Sequence, residues 1–253
     1  MPVRSLARLF PLLVVDRAAR AVVVTTALLA LTAPLMLRQG SAYGAGLSDG
    51  LSVGGTRGAT LVVNLLAFGL ALAAAWLSEG VVSGLRRDGS GPLLLTRPVS
   101  RSGLFMAHWL AGLTALAAVA LAIVATLNGI RHAAEGSGSP MSVSGAVGAA
   151  IVTWTWVGSV VLLCSSLLER GEALAGALLV ILPISLAAML PTGSLPARLT
   201  GLLPSRDVLT TSRDLLAGQA VSRHTLLWAL GWGSLTLAIG ILSACTREWR
   251  ALE

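Results

Sequence analysis

Long apolar segments without Asp, Glu, Lys or Arg alternate along this chain with short stretches rich in arginine, glycine and serine. A hydrocarbon core about 30 Å thick needs roughly 20 helical residues to cross it. Six segments are about that long, and we predict a transmembrane helix in each: residues 21–37, 59–78, 104–127, 143–168, 173–190 and 226–245. The predicted fold is therefore an all-α membrane protein, with one transmembrane domain over residues 1–253.

Residues 1–20 precede the first predicted span and carry an amphipathic pattern. Leu6, Leu9 and Leu13 follow helical spacing, while Arg4 and Arg8 lie one turn apart on another face. This pattern is typical of a helix lying in the membrane interface. A cleaved signal peptide is the alternative, but its charged region would be shorter and followed by an early small-residue site. We therefore expect an uncleaved anchor.

The connection at residues 191–223 contains two further amphipathic patterns. Ser194–Leu203 and Ser205–Leu216 each predict a short helix, the second capped by Ser205 and ended by Gly218. We expect both helices at the outer membrane surface. In the third span, Ala107, Ala111 and Ala115 recur every fourth residue and predict close helix packing.

Arginine positions set the expected orientation, because positively charged loops favour the cytoplasmic side. With the N-terminus and C-terminus inside, eleven of the 18 arginines lie on the cytoplasmic side. The chain is 55% hydrophobic and 11% charged, whereas soluble domains carry about 25% charged residues. We attribute the net charge of +7 to arginines that set the orientation in the membrane and contact anionic lipid headgroups. We therefore expect a lipid bilayer but no nucleic acid as a partner.

Residue usage also limits the chemistry of the chain. All 18 lysine-plus-arginine positions are arginine, which excludes a Walker A loop and Schiff-base catalysis. Cys164 and Cys245 lie in apolar segments and have no metal-ligand spacing. An intramembrane serine protease is disfavoured because Ser159 lacks a following glycine and His224 lies at the mouth of a span. We expect no catalytic site, no metal and no cofactor in this chain.

The polar stretch at residues 79–103 lies between the second and third spans. It carries an arginine pair before Asp88, a short apolar run at Leu93–Leu95, and Pro98 between Arg97 and Arg101. Proline favours the first turn or the end of a helix. The stretch therefore predicts a short helix across the cytoplasmic mouth of the bundle, where a soluble partner can bind.

The segments Arg87-Asp88-Gly89, Leu93-Leu94-Leu95 and Arg97-Pro98-Val99-Ser100-Arg101 resemble the cytoplasmic signature of ABC-2 type ABC transporter permeases. In that family an acidic-Gly-Thr-Leu segment leads into Leu-Leu-Ser-x-Pro-Val-Ser-Arg between the second and third membrane helices. In this chain Ser90-Gly91-Pro92 stands where the family usually has Thr-Leu-Glu or a similar sequence.

The resemblance implies a permease subunit of an exporter in the bacterial cytoplasmic membrane. Two permease subunits, in a homodimer or heterodimer, would associate with separate cytoplasmic ATPase subunits that bind ATP and Mg²⁺. The alternatives are a haem-export or copper-centre maturation permease, or a non-transporting scaffold or sensor. The expected coupling residues are Glu79, Arg86, Arg87, Asp88, Leu93, Leu94, Leu95, Arg97, Pro98, Arg101, Glu169, Arg170 and Glu172.

Four residues in or beside the spans have two interpretations each. For the Asn64 amide we expect either an inter-helix hydrogen bond or contact with a transported substrate. Trp154 and Trp156 are expected either to pack against other helices or to line a substrate path. For His108 we favour an interfacial hydrogen bond over ligand binding or proton chemistry.

Overall fold

The computed structural model describes residues 2–44, 52–79, 101–135, 141–168 and 204–246, together with positions 171, 175, 176, 178 and 180. Apart from short turns and connections these residues are helical, so the predicted all-α fold is confirmed there. The helices are α1 (Pro2–Gly44), α2 (Ser52–Leu77), α3 (Arg101–Glu135), α4 (Val143–Thr153), α5 (Ser159–Leu167), α6 (Ser205–Leu216) and α7 (Arg223–Thr246). A π-helical turn, Trp154–Gly158, joins α4 to α5.

Four helical stretches are long and apolar enough to cross a membrane, which supports the predicted membrane character. They are Arg17–Leu35, Ser102–Ala133, Val143–Leu167 and Arg223–Ser243, which contain or largely overlap the first, third, fourth and sixth predicted spans. The second predicted span falls in α2, whose apolar stretch Leu61–Leu77 is shorter. The fifth lies almost wholly outside the described residues.

The N-terminal helix is longer than the sequence pattern indicated. The interfacial helix expected at residues 1–20 and the first span lie on one continuous helix, α1, of 43 residues. Residues 16–20 read Asp-Arg-Ala-Ala-Arg and contain neither glycine nor proline, so nothing in their backbone preference ends the helix. The two arginines in this run also find partners on α2, described below.

Alanines on α3, and both leucines and alanines on α2, form contact surfaces between the helices. Ala107, Ala111 and Ala115 are all buried, which confirms the packing stripe predicted on α3. On α2 the buried positions include Leu66, Leu70 and Ala74 and face the bundle. In lipid, helix association depends on close packing of such surfaces, because lipid tails are as apolar as the side chains.

Helix α6 has the predicted bounds but a different start. Pro204 is the N-cap residue and no side chain caps the helix there, so the prediction that Ser205 caps it was wrong. Gly218, with φ of +70°, ends it as predicted. The Gly218 N–H donates to the Leu215 carbonyl at 3.0 Å and the Gln219 N–H to the Asp214 carbonyl at 2.8 Å. This pairing is the Schellman motif, in which glycine adopts the left-handed conformation.

Candidate functional site

Two arginines of α1 bind the C-terminal end of α2, the end from which residues 80–100 continue. Arg17 is 3% exposed, and its Nε donates to the Leu77 carbonyl at 3.2 Å. Its Nη2 lies 3.1 Å from His108 Nδ1 on α3. The last carbonyls of a helix lack partners within the helix, and cationic side chains satisfy them favourably. Arg17 therefore connects α1, α2 and α3 at one point.

The second arginine, Arg20, lies one turn further along α1. Its Nη1 donates to the Glu79 carbonyl at 3.0 Å and to the Trp76 carbonyl at 3.4 Å. Glu79 thus takes part through its main chain, and within the described residues its carboxylate forms no ion pair. We call Arg17, Arg20, Leu77, Glu79 and His108 the arginine junction.

His108 is the residue of α3 that belongs to the arginine junction. Because a guanidinium only donates, Nδ1 accepts the hydrogen bond from Arg17 and Nε2 carries the proton of the neutral ring. Nε2 is buried and has no partner among the described residues. The hydrogen bond predicted for His108 is confirmed, and its partner is α1. Since α3 begins at Arg101, His108 lies about 10 Å along the helix from the point where residues 80–100 rejoin the bundle.

The π-helical turn directs three consecutive residues to three different helices. The Trp154 ring packs against Gly112 of α3, where a Cβ would occupy the position of the ring. The Thr155 carbonyl lies against Gly233 of α7. Trp156 is 4% exposed and donates its indole N–H to Ser205 Oγ of α6 at 3.1 Å. π-Helical turns are frequent at functional sites, and this one is the point where α3, α6 and α7 meet α4.

Helix α6 runs antiparallel to α4 inside the bundle. The Ser142 N–H donates to the Leu216 carbonyl at 3.2 Å at one end. Thr153 and Ser212 pair through their hydroxyls at 2.9 Å, and Ser205 meets Trp156 at the other end. Ser142 and Trp156 are about 20 Å apart along the helix. Helix α6 therefore packs along α4 over its whole length, and its expected place at the outer membrane surface stays a prediction.

The buried face of α6 explains this position. Ser205, Thr211 and Ser212 are buried, together with Val208 and Leu216. Two of the three hydroxyl groups pair with α4 or the π-helical turn, whereas Thr211 Oγ1 and Trp154 Nε1 are buried without a partner among the described residues. The charged residues occupy the opposite side, where Arg213 forms an ion pair with Asp214. The hydroxyl face of α6 is therefore its packing face.

The structure describes only part of the predicted coupling set. Glu79 ends the described part of the α2 region, and Arg101 begins α3, its side chain lying outside the description. The predicted coupling residues that lie outside the described residues are Arg86, Arg87, Asp88, Leu93, Leu94, Leu95, Arg97, Pro98, Glu169, Arg170 and Glu172.

The three residues predicted for a substrate path occupy different environments. Asn64 is exposed on α2, whereas Trp154 and Trp156 are buried in the core. The burial of the two tryptophans favours the packing interpretation over the substrate path, and a substrate role for any of the three stays a prediction. Arg17 and Arg20 were not predicted as helix-capping residues, although their spacing of three places both on one face of α1. Ser205 and Ser212 were not predicted as packing residues either, although their spacing of seven marks a common face.

Among the described residues, no group of three or more His, Cys, Asp or Glu side chains could hold a metal ion. No family model matches this chain, and no curated protein matches it.

Proposed function

We propose that this chain is the membrane-spanning permease subunit of an ABC-2 type transporter. It would move a substrate across the bacterial cytoplasmic membrane with energy from ATP hydrolysed by a separate subunit. ATP and Mg²⁺ would bind to that ATPase subunit. Both termini of the chain would face the cytoplasm, and a second permease subunit would complete the membrane part.

The arginine junction is the observation that carries the proposal. Residues 80–100 leave α2 just after Leu77 and re-enter the bundle at the start of α3. Arg17 contacts both helices, through the Leu77 carbonyl and His108. A force applied to the connecting segment would therefore act on three helices together. Such a rigid attachment is what a permease needs to receive a nucleotide-dependent movement from a soluble partner.

The sequence of the connecting segment adds the second argument. Leu93–Leu95 form an apolar run within a polar, arginine-rich stretch. Apolar clusters mark interaction sites where they are exposed, and arginines beside them favour an acidic partner surface. Because these 253 residues contain no lysine, a P-loop would have to lie outside them, and we place it on a separate ATPase subunit.

Affinity purification of the chain from its native membrane tests the proposal. We expect an ATPase with a Walker A motif to co-purify with the wild type, identified by mass spectrometry. Leu94→Asp should lower its recovery more than tenfold, because loss of an interface anchor costs a few kcal/mol. The double variant Arg97→Glu, Arg101→Glu should act in the same direction.

Arg206→Glu is the matched control, since Arg206 is an exposed arginine on α6 and far along the chain from the connecting segment. It should leave recovery of the ATPase unchanged. Wild-type chain that captures no Walker A protein, or equal recovery with Leu94→Asp and Arg206→Glu, would contradict the proposal.

A further inference from the structure

The fourth span consists of two helices that pack against different neighbours. Helix α4 packs chiefly against α6 and α3, whereas α5 packs chiefly against α7. Leu162 of α5 is buried in an apolar cluster with Leu237 and Ile241 of α7. Near the end of α5, the Ser166 hydroxyl is hydrogen-bonded to Ser243 Oγ of α7 at 3.2 Å. Beyond the π-helical turn, α5 is therefore attached to the second half of α7.

The π-helical turn between α4 and α5 is a point where the fourth span can bend. Sharp bends in helices commonly occur at π-helical turns, whose hydrogen bonds run over five residues instead of four. Thr155 Oγ1 donates to the Ile151 carbonyl at 2.7 Å, a contact that often bends a helix. The Trp154 indole N–H is buried here without a partner among the described residues, and an unpaired buried donor costs free energy. A second arrangement of the turn that pairs this N–H would recover that cost.

Helix α7 has its own weak point beside this turn, in the run Gly231-Trp232-Gly233-Ser234. The Thr155 carbonyl lies against Gly233, so the weak point of α7 is in contact with the π-helical turn. Glycine weakens a helix because its backbone has more freedom to lose, and Gly/Ser pairs are a further common site of kinks. In the described part of the chain, a Cβ added to Gly231 would meet no atom within 4 Å, so packing does not require glycine there. Two neighbouring helices can thus bend at the same level.

We propose that the π-helical turn and Gly231–Ser234 form one hinge, about which α5 and residues 235–246 of α7 move together relative to the rest of the bundle. The serine hydrogen bond and the apolar cluster between α5 and α7 keep these two segments together beyond the hinge. On the other side of the hinge, the hydroxyl pair of Thr153 and Ser212 holds α4 to α6. The hinge is a property of this chain alone, so it goes beyond the proposed function and does not rest on it.

The geometry of α7 sets the size of the movement. Leu242 lies nine residues beyond Gly233, about 14 Å along the helix. Sharp helix kinks exceed about 20°, and a bend of that size would displace Leu242 sideways by about 5 Å. Leu227 lies on α7 before the hinge and would keep its distance from α1. Distances from α1 to the two parts of α7 therefore separate a hinge from a general looseness of the bundle.

Double electron–electron resonance between pairs of spin labels, on the purified chain in lipid nanodiscs, provides the first test. In a Cys164→Ser, Cys245→Ser background, one pair of labelled cysteines replaces Val15 of α1 and Leu242 beyond the hinge. The control pair replaces Leu31 of α1 and Leu227 before the hinge, and all four native side chains are more than half exposed. The Val15–Leu242 distances should be spread over about 5 Å more than the Leu31–Leu227 distances, in keeping with a kink of about 20°. Equal spreads for the two pairs overturn the inference.

Stiffening α7 at the hinge provides the second test. Gly231→Ala favours a straight helix and makes no clash, so it should narrow the Val15–Leu242 distances toward the spread of the control pair. The distances from Val15 to a label at Leu167, near the end of α5, should narrow with it, because α5 moves with α7. Gly129→Ala on α3 is the matched control: it is also an exposed helical glycine with open space for a Cβ among the described residues, and it should change neither spread.

Two results of this second test would contradict the inference. Equal effects of the two alanine variants would show that the narrowing does not arise at the hinge. Narrowing at Leu242 without narrowing at Leu167 would show that α5 and α7 do not move together. Neither measurement uses an ATPase, so the hinge and the proposed function can fail separately.

Discussion

The hydrogen bond between Trp156 and Ser205 should contribute measurably to holding α6 inside the bundle. Trp156→Phe removes the indole donor, and Ser205→Ala removes the acceptor at 3.1 Å. Both residues are buried. Ser205→Ala therefore leaves the indole N–H without its acceptor, and Trp156→Phe leaves the serine hydroxyl without its donor. A net hydrogen bond contributes about 1 kcal/mol, and leaving a buried donor unpaired costs about 1–3 kcal/mol. Phenylalanine is also smaller than tryptophan, which adds a packing loss to that variant.

A double-mutant cycle separates the hydrogen bond from these side effects. We expect the destabilisations of the two single variants to sum to about 1 kcal/mol more than that of the double variant, because the double variant leaves no orphaned partner. The measurement is the free energy of unfolding in mixed micelles, followed by equilibrium denaturation. Each variant must first be shown to insert and fold.

The neighbouring tryptophan supplies a matched control for this cycle. Trp154 is also buried in the π-helical turn, but its indole N–H has no partner among the described residues. Trp154→Phe combined with Ser205→Ala should therefore show coupling near zero. Coupling below about 0.3 kcal/mol for the Trp156 pair, within the usual error of additivity, would refute the argument. Equal coupling for both pairs would refute it as well.

Three further predictions concern other parts of the bundle. Arg17→Leu should lower the free energy of unfolding by about 1–3 kcal/mol, because it leaves the buried Leu77 carbonyl and His108 Nδ1 without their donor. Exposed Arg206→Leu should stay within about 0.5 kcal/mol, and similar losses for both would be the contrary result. Gly112→Leu should destabilise by about 1–3 kcal/mol through overpacking against the Trp154 ring, and an unchanged unfolding curve would speak against that contact. A reporter fused at Ser90 should show cytoplasmic activity, and periplasmic activity there would reverse the orientation.

The sequence predicts best where a backbone rule acts locally. The bounds of α6 follow from its polar pattern and from Gly218, whose left-handed conformation ends the helix. The packing stripe on α3 follows from the four-residue spacing of its alanines. Both features depend on neighbours within one or two turns, and a single helix carries all the information that they need.

Features that depend on a distant partner were harder to predict. The hydroxyl face of α6 is compatible with lipid headgroups, and only the opposing Thr153 and Trp156 show that it is a packing face. In the sequence, Arg17 and Arg20 look like solvated residues ahead of a span. Their contacts could not be predicted, because the α2 carbonyls that they bind lie about sixty residues away along the chain. A sequence shows which groups need partners, but their partners come from the tertiary structure.

The proposed function depends most directly on whether the chain regulates an ATPase through residues 80–100. The decisive measurement is the ATP hydrolysis rate of the co-purifying Walker A protein in nanodiscs, with this chain, without it, and with the Leu94→Asp variant. The chain alone should hydrolyse no ATP, since it has no lysine for a P-loop. The wild-type chain should change the rate of the ATPase, and Leu94→Asp should abolish that change while the protein stays inserted. An ATPase rate that is the same with wild type, with Leu94→Asp and without the chain would contradict the proposed function.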